Sequence, residues 1–206
     1  MLSTKGNLVF QGDLAGFFKA FEADTGKEIW NYSVQGGVMA SPITYELDGV
    51  QYVAVAQGWG GESGLPFGSV SGPQNMFNIS RLLVFALDAS GKLPIIESIE
   101  QTLPAHDLVA AGVEKIEQGR GLYGIYCAGC HGGNAISAGL IPDLRYRIAD
   151  LSSAWQSIIF DGALAPNGMP AWKDYMTVKE VDLIQAYVVH EATLGHQRGE
   201  RRVIRK

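Results

Sequence analysis

The hydrophobic pattern changes character once along the chain. Between Leu8 and Leu87 apolar residues come in short runs broken by turn residues, whereas from Val113 onward they recur every three or four positions. The first pattern predicts strands and the second predicts helices. Strands are expected at 8–11, 16–22, 27–32, 41–45, 51–56 and 81–87, with Asp48-Gly49 as the hairpin turn between two of them. Residues 57–80 are rich in Gly, Ser and Pro and read as a long loop. Helices are expected at 113–126, with Val113, Ile116 and Tyr123 on one stripe, and at 152–160, burying Ala154, Trp155, Ile158 and Ile159. Asp161-Gly162 ends that middle helix. A capping box, Thr177-Val-Lys-Glu180, opens the last helix, and Gly195 is expected to stop it. Pro94 and Pro104 keep the stretch between the two halves irregular.

Two segments repeat a theme: an apolar strand, an acidic turn, then Gly-Lys, at 18–27 and again at 83–92. Such repetition is how propeller blades show themselves in sequence. At about 40–50 residues per blade, about two fit before residue 100, and two cannot close a ring. Their strand edges would stay unpaired. The 206 residues allow one large domain or two small ones, and 47% hydrophobic with 18% charged residues is ordinary for a globular protein. A net charge of -5 argues against nucleic acid as a partner. No apolar run is long enough to predict a transmembrane helix, and the polar start at Met1-Leu-Ser-Thr4 carries no signal peptide.

The sharpest chemical signal is Cys127-Ala-Gly-Cys-His131. C-x-x-C-H is the attachment signature of a c-type haem: two thiols become thioethers and the adjoining imidazole binds iron. On one helical turn, cysteines three apart reach the same porphyrin edge. A redox C-x-x-C is the first alternative, but the preceding stretch reads as helix rather than strand. Half of a zinc site is the second, yet the chain has no further cysteine to complete it. Met169, in Asn167-Gly-Met-Pro-Ala-Trp172, sits in a glycine- and proline-fixed loop and is the expected second axial ligand, with Met176 as its rival. A thioether ligand would raise the reduction potential. Gly119, Gly121 and Gly124 each cost about 1 kcal/mol in a helix relative to alanine, which makes sense where another helix crosses closely. The basic tail, with five Lys or Arg in 198–206, reads as solvated; docking to an acidic partner or membrane surface is the lesser reading. His106, His190 and His196 read as surface residues.

These motifs resemble a known family. Ala20-Phe-Glu-Ala-Asp-Thr-Gly-Lys-Glu-Ile-Trp30 resembles the tryptophan-docking motif of pyrroloquinoline quinone (PQQ) dehydrogenases, and 41–61 is similar to their closing blades. Gly119-Arg-Gly-Leu-Tyr123 resembles the helix contact of cytochromes c, and Gly168-Met-Pro-Ala-Trp172 resembles the distal loop of quinohaemoprotein alcohol dehydrogenases. Residues 7 to about 193 thus resemble the C-terminal third of that family. The resemblance implies a remnant of an all-β eight-bladed propeller in 1–100, a linker in 101–110, a small all-α class I cytochrome c domain in 111–195 and a tail in 196–206. It implies that Cys127 and Cys130 attach haem c and that His131 and Met169 ligate its iron. The Pro142 carbonyl would accept the histidine's other N–H, Trp172 would lie at the haem, and Arg145 would meet a propionate, unless it is a plain surface arginine. Trp59 is either a quinone contact or a buried loop tryptophan.

In the family, PQQ with Ca2+ takes two electrons from an alcohol and passes them singly to the haem, then to an external acceptor such as a small redox protein or a quinone-linked cytochrome. The substrate-oxidising site would lie outside this chain, which by itself is expected to transfer electrons without oxidising alcohol. Haem c attachment implies the periplasm, so the absent signal peptide suggests a cut within a longer protein. An alternative is a haem subunit or truncated product that docks on a separate propeller chain; another is an open axial site that binds a ligand.

Overall fold

The computed structural model describes residues 1–58, 79–137, 139 and 141–205. These fall into two compact units: 1–58 and 79–100 with 203–205 in the first, and 101–202 in the second.

The first unit is all β. Strands β1 (Leu2–Ser3), β2 (Leu8–Gly12), β3 (Phe17–Glu22) and β4 (Glu28–Ser33) form an antiparallel sheet in sequence order. Next, β5 (Ile43–Leu47), β6 (Val50–Gln57) and β7 (Arg81–Ala86) form a second antiparallel sheet. Asp48 and Gly49 both take positive φ (53° and 77°), the conformation a two-residue hairpin turn demands. Strand alternation sets which face is buried. Val53, Val55 and Leu83 of the second sheet pack with Phe18, Val34 and Val38 into one core. The Trp30 ring lies edge-on to Phe85 of the second sheet at 5.5 Å and to Phe18 at 6.2 Å. The opposite face of that second sheet carries Ile43, Tyr45, Leu47, Leu82 and Val84, all exposed. Trp59 and Met76 lie outside the described residues.

The second unit is helical. Helix α1 (Val113–Tyr126) leads into the short turn α2 (Ala128–His131), and α5 (Val178–Gln197) closes the unit. Gly119 lets α1 and α5 touch: a Cβ there would stand 2.0 Å from the Leu183 carbonyl oxygen. Below the crossing, the Tyr123 and Tyr187 rings meet at 5.2 Å. The capping box at the start of α5 is complete, with Thr177 Oγ1 accepting the Glu180 N–H and the Glu180 carboxylate accepting the Thr177 N–H.

Four features differ from the sequence reading. The middle helix, expected over 152–160, opens as a 3-10 turn at Ser152–Ala154, where Ala154 is only half-buried, and is α-helical over α4 (Trp155–Ile159), with a separate short helix α3 (Ile148–Leu151) before it. At the 3-10 turn, the Ser152 hydroxyl donates to the Ala149 carbonyl and the Ser152 carbonyl accepts the Gln185 side-chain amide. Gly195 does not stop the last helix but lies buried within it, where a Cβ would meet Leu103 Cδ2 at 2.6 Å; Gly199, at φ 66°, takes the left-handed position after the end. The stretch expected as a linker contains the end of β8 (Ser98–Thr102) and the fully buried Leu103. Finally, the basic tail is ordered rather than loose: β9 (Arg201–Arg205) pairs with β8, and the Arg202 guanidinium stacks 3.8 Å over the Tyr146 ring.

Candidate haem site

The haem signature folds as one helical turn. Cys127 ends α1, its N–H donating to the Tyr123 carbonyl at 2.9 Å; the N–H groups of Cys130 and His131 then both donate back to the Cys127 carbonyl (3.1 and 2.9 Å). Gly132, at φ 78°, terminates the turn, and its carbonyl accepts the buried Tyr123 hydroxyl at 2.9 Å. Neither thiol is in a disulfide; Cys130 is exposed, while burial of Cys127 pushes its thiol up to about 12.

His131 is buried, and its Nδ1–H donates to the Pro142 carbonyl oxygen at 3.0 Å. A carbonyl can only accept, so the proton must sit on Nδ1 and the lone pair on Nε2. Burial holds the imidazole pKa below its ordinary value, against the opposing pulls of Pro142 and Asp143. A neutral, oriented imidazole with Nε2 unprotonated is the form that binds iron. Two thiols and one such imidazole on a single turn match what a covalently attached haem requires, so the residues present fit the group.

Met169 lies half-buried against the helical core, in a loop bent by Gly168 at φ 93° and held by its N–H on the Leu164 carbonyl (3.3 Å). Met176 is buried within that core. The Trp172 backbone N–H donates to the Ile159 carbonyl, and its ring lies edge-on to Tyr126, next to Cys127, at 5.3 Å.

Arg145 is not a surface arginine. It is buried, its Nε and Nη2 donate to Asp143 (3.1 and 2.8 Å) and its Nη1 donates to Glu200 (2.6 Å), so the carboxylates it meets are the protein's own. Burial works against its charge, but these carboxylates outweigh that and hold its pKa above the usual value. Two of the remaining histidines differ from the surface reading: His106, against Thr193, and His190 are partly buried. His196 is exposed as expected, its Nδ1–H donating to the Leu103 carbonyl at 2.8 Å.

Comparison with known proteins follows the same division. Residues 1–53 match the glucose/ethanol/alcohol dehydrogenase beta-propeller domain family, and 114–188 match the family described as cytochrome c oxidase, cbb3-type, subunit III. The quinohemoprotein alcohol dehydrogenase ADH IIB of Pseudomonas putida is 44% identical over 195 residues, covering 91% of this chain and 27% of its own length. The solved structure of ADHIIG from the same species superposes with a TM-score of 0.84 at 37% identity, over 96% of this chain and 29% of that one. That of the Comamonas testosteroni enzyme gives 0.70 at 30% identity, over 94% and 28%. The chain corresponds to the C-terminal region of a quinohaemoprotein alcohol dehydrogenase. Its first unit is a fragment of the family's PQQ propeller and its second is the cytochrome c domain, which implies haem c. The chain spans about a quarter of the length of the curated relatives it matches. Among the described residues, no helix is long and apolar enough to cross a membrane.

The sequence reading missed the Tyr123–Gly132 bond and the two carboxylates on Arg145. Asp143 was findable, because Pro142-Asp143 opens a 3-10 turn and its side chain accepts the Arg145 N–H. Glu200 was not, being 55 positions away.

Proposed function

We propose that this chain is a one-electron carrier, holding haem c through thioether links at Cys127 and Cys130 with His131 and Met169 as axial ligands. The observation that carries this reading is the state of His131: buried, proton on Nδ1, lone pair on Nε2, next to both cysteines. Bound there, the haem would supply one-electron exchange at a potential raised by a thioether ligand. The chain's own residues do the rest. The Pro142 carbonyl orients the imidazole and raises its donor strength. Tyr123 pins the end of the attachment turn, and Trp172 packs beside its start. The loop bent at Gly168 presents Met169, while Met176 serves the core.

Within a whole dehydrogenase of this family, the chain's task is to pass electrons released by alcohol oxidation to an external acceptor in the periplasm. PQQ and Ca2+ belong to that whole protein. The test is an absorption spectrum of the full chain exported and matured with haem, oxidised and reduced, for wild type, Met169→Leu and Met176→Leu. A sharp reduced α-band together with the weak red band of methionine–iron bonding is expected, the latter lost only in Met169→Leu. Bound haem without that band in the wild type overturns the Met169 assignment and points to an open axial position.

A further inference from the structure

Behind His131 lies a cluster of charge that electron transfer does not by itself require. Asp143 directly follows Pro142, whose carbonyl accepts the hydrogen bond from the imidazole Nδ1–H. Its carboxylate does two things at once. One oxygen caps the next turn by accepting the Arg145 backbone N–H (3.1 Å), and both oxygens receive the forked guanidinium from Nε and Nη2 (3.1 and 2.8 Å). The third nitrogen, Nη1, reaches Glu200 at 2.6 Å. Asp143 and Arg145 are each only 6% exposed.

Glu200 is itself fixed by backbone bonds. Its N–H donates to the Gly195 carbonyl and its carbonyl accepts the Leu103 N–H, both at 2.9 Å. Gly195 keeps room for the pair: a Cβ there would lie 3.2 Å from Glu200 Oε2 and 3.3 Å from Arg145 Nη1. Buried ion clusters of this kind add little net stability, because desolvation consumes the Coulomb gain. What a forked arginine does supply is orientation. Here the element it orients is the peptide that holds the histidine.

We propose that Arg145 is a positioning residue for His131: by clamping Asp143 to Glu200 it fixes the Pro142 carbonyl, and so sets the imidazole plane and the donor strength of its nitrogen. The proposal rests on His131 being the haem ligand. Arg198 pairs with the other oxygen of Glu200 at 3.8 Å, so the cluster of two carboxylates and two guanidinium groups is neutral and acts on the histidine through orientation rather than through net charge. Loosening the clamp weakens the Nδ1–H···O bond and makes the imidazole a poorer donor, so the reduction potential should rise.

The decisive variant is Arg145→Lys in the full haem-loaded chain, which keeps the charge but not the fork. Ferric electron paramagnetic resonance reads the imidazole plane, and redox titration reads the potential. Arg147→Lys is the control, since Arg147 is exposed and pairs only locally with Asp150. Shifted g values and a raised potential in Arg145→Lys, with both unchanged in the control, are expected. A folded Arg145→Lys protein with wild-type g values and potential overturns the proposal and leaves the cluster purely structural. Should Arg145→Lys fail to fold, Glu200→Asp carries the same two readouts, because it keeps the charge but withdraws the carboxylate from Arg145 Nη1. A wild-type spectrum with no imidazole on the iron is a separate result; it refutes the haem assignment and takes the inference with it.

Discussion

Three glycines lie in helix α1, and alanine should act on two of them, Gly119 and Gly121, in opposite directions. Gly119 faces the crossing with α5, where an added Cβ would sit 2.0 Å from the Leu183 carbonyl oxygen, 2.8 Å from its carbon and 3.0 Å from Tyr187 Cβ. Real Cβ atoms essentially never come closer than 3.0 Å to such a neighbour, so the helices would have to part by at least roughly 1 Å. A gap of that size forfeits about a quarter to a half of each contact's attraction. If about fifty atom pairs across the crossing each lose a third of about 0.15 kcal/mol, the loss is about 2.5 kcal/mol. That lies within the usual range for overpacking. Helix propensity returns about 1 kcal/mol, leaving Gly119→Ala destabilised by about 1.5 kcal/mol. At Gly121 an added Cβ meets nothing within 4 Å, so Gly121→Ala should gain up to about 1 kcal/mol. Urea unfolding of the haem-loaded chain, followed at the haem band so that only the helical unit is read, should separate the two midpoints by roughly 2–3 kcal/mol at unchanged slope. Gly119→Ala as stable as wild type would refute the close-crossing argument.

Further outcomes follow from single contacts. Thr177→Ala removes the acceptor for the Glu180 N–H and should cost the helical unit about 1 kcal/mol in the same unfolding assay. The Glu180 carboxyl is held below its ordinary range by its bonds from Thr177, so that part of the cap is present at neutral pH and is lost as pH falls through the depressed value; the mutant's deficit should narrow in acid. Tyr123→Phe leaves the buried Gly132 carbonyl without its partner, an expected loss of about 1–2 kcal/mol. Burial raises the Tyr123 pKa, so its stabilisation is complete below about 10 and erodes above it as the unfolded chain ionises; Tyr123→Phe should show a flatter alkaline decline. In the propeller fragment, Phe85 touches Phe18, Trp30 and Tyr32 at 5.2–5.7 Å, and Phe85→Ala should cost about 3 kcal/mol and flatten the near-ultraviolet circular dichroism.

Local chemistry was readable in the sequence; distant pairing was not. Helix α1 occupies the 113–126 span its periodicity predicts, and the capping box places the start of α5. The Asp48-Gly49 hairpin follows from two residues that tolerate positive φ. In contrast, Gly195 reads as a stop, because sequence shows a missing side chain but not the Leu103 side chain that needs the space. Strands β8 and β9 are short, charged and about a hundred positions apart, so neither announces the other. The same holds at the site. Cys127, Cys130 and His131 belong to one turn whose spacing carries their geometry, while the Pro142 carbonyl was legible only through the family resemblance. Arg145 shows its cation but not the carboxylates it faces, since one of them arrives from the far end of the domain.

That meeting of far-apart residues also gives the helical unit a topology. Leu103, near its entry, donates to Glu200, near its exit, and the Leu103 carbonyl receives His196. A domain whose entry and exit stand side by side is a closed loop, joined to its surroundings at one corner. Such a piece can be fused after another protein, inserted into a surface loop or circularly permuted without repacking its interior. In evolutionary terms it is a cassette: its coding segment can be spliced to a new neighbour while the site inside keeps its geometry.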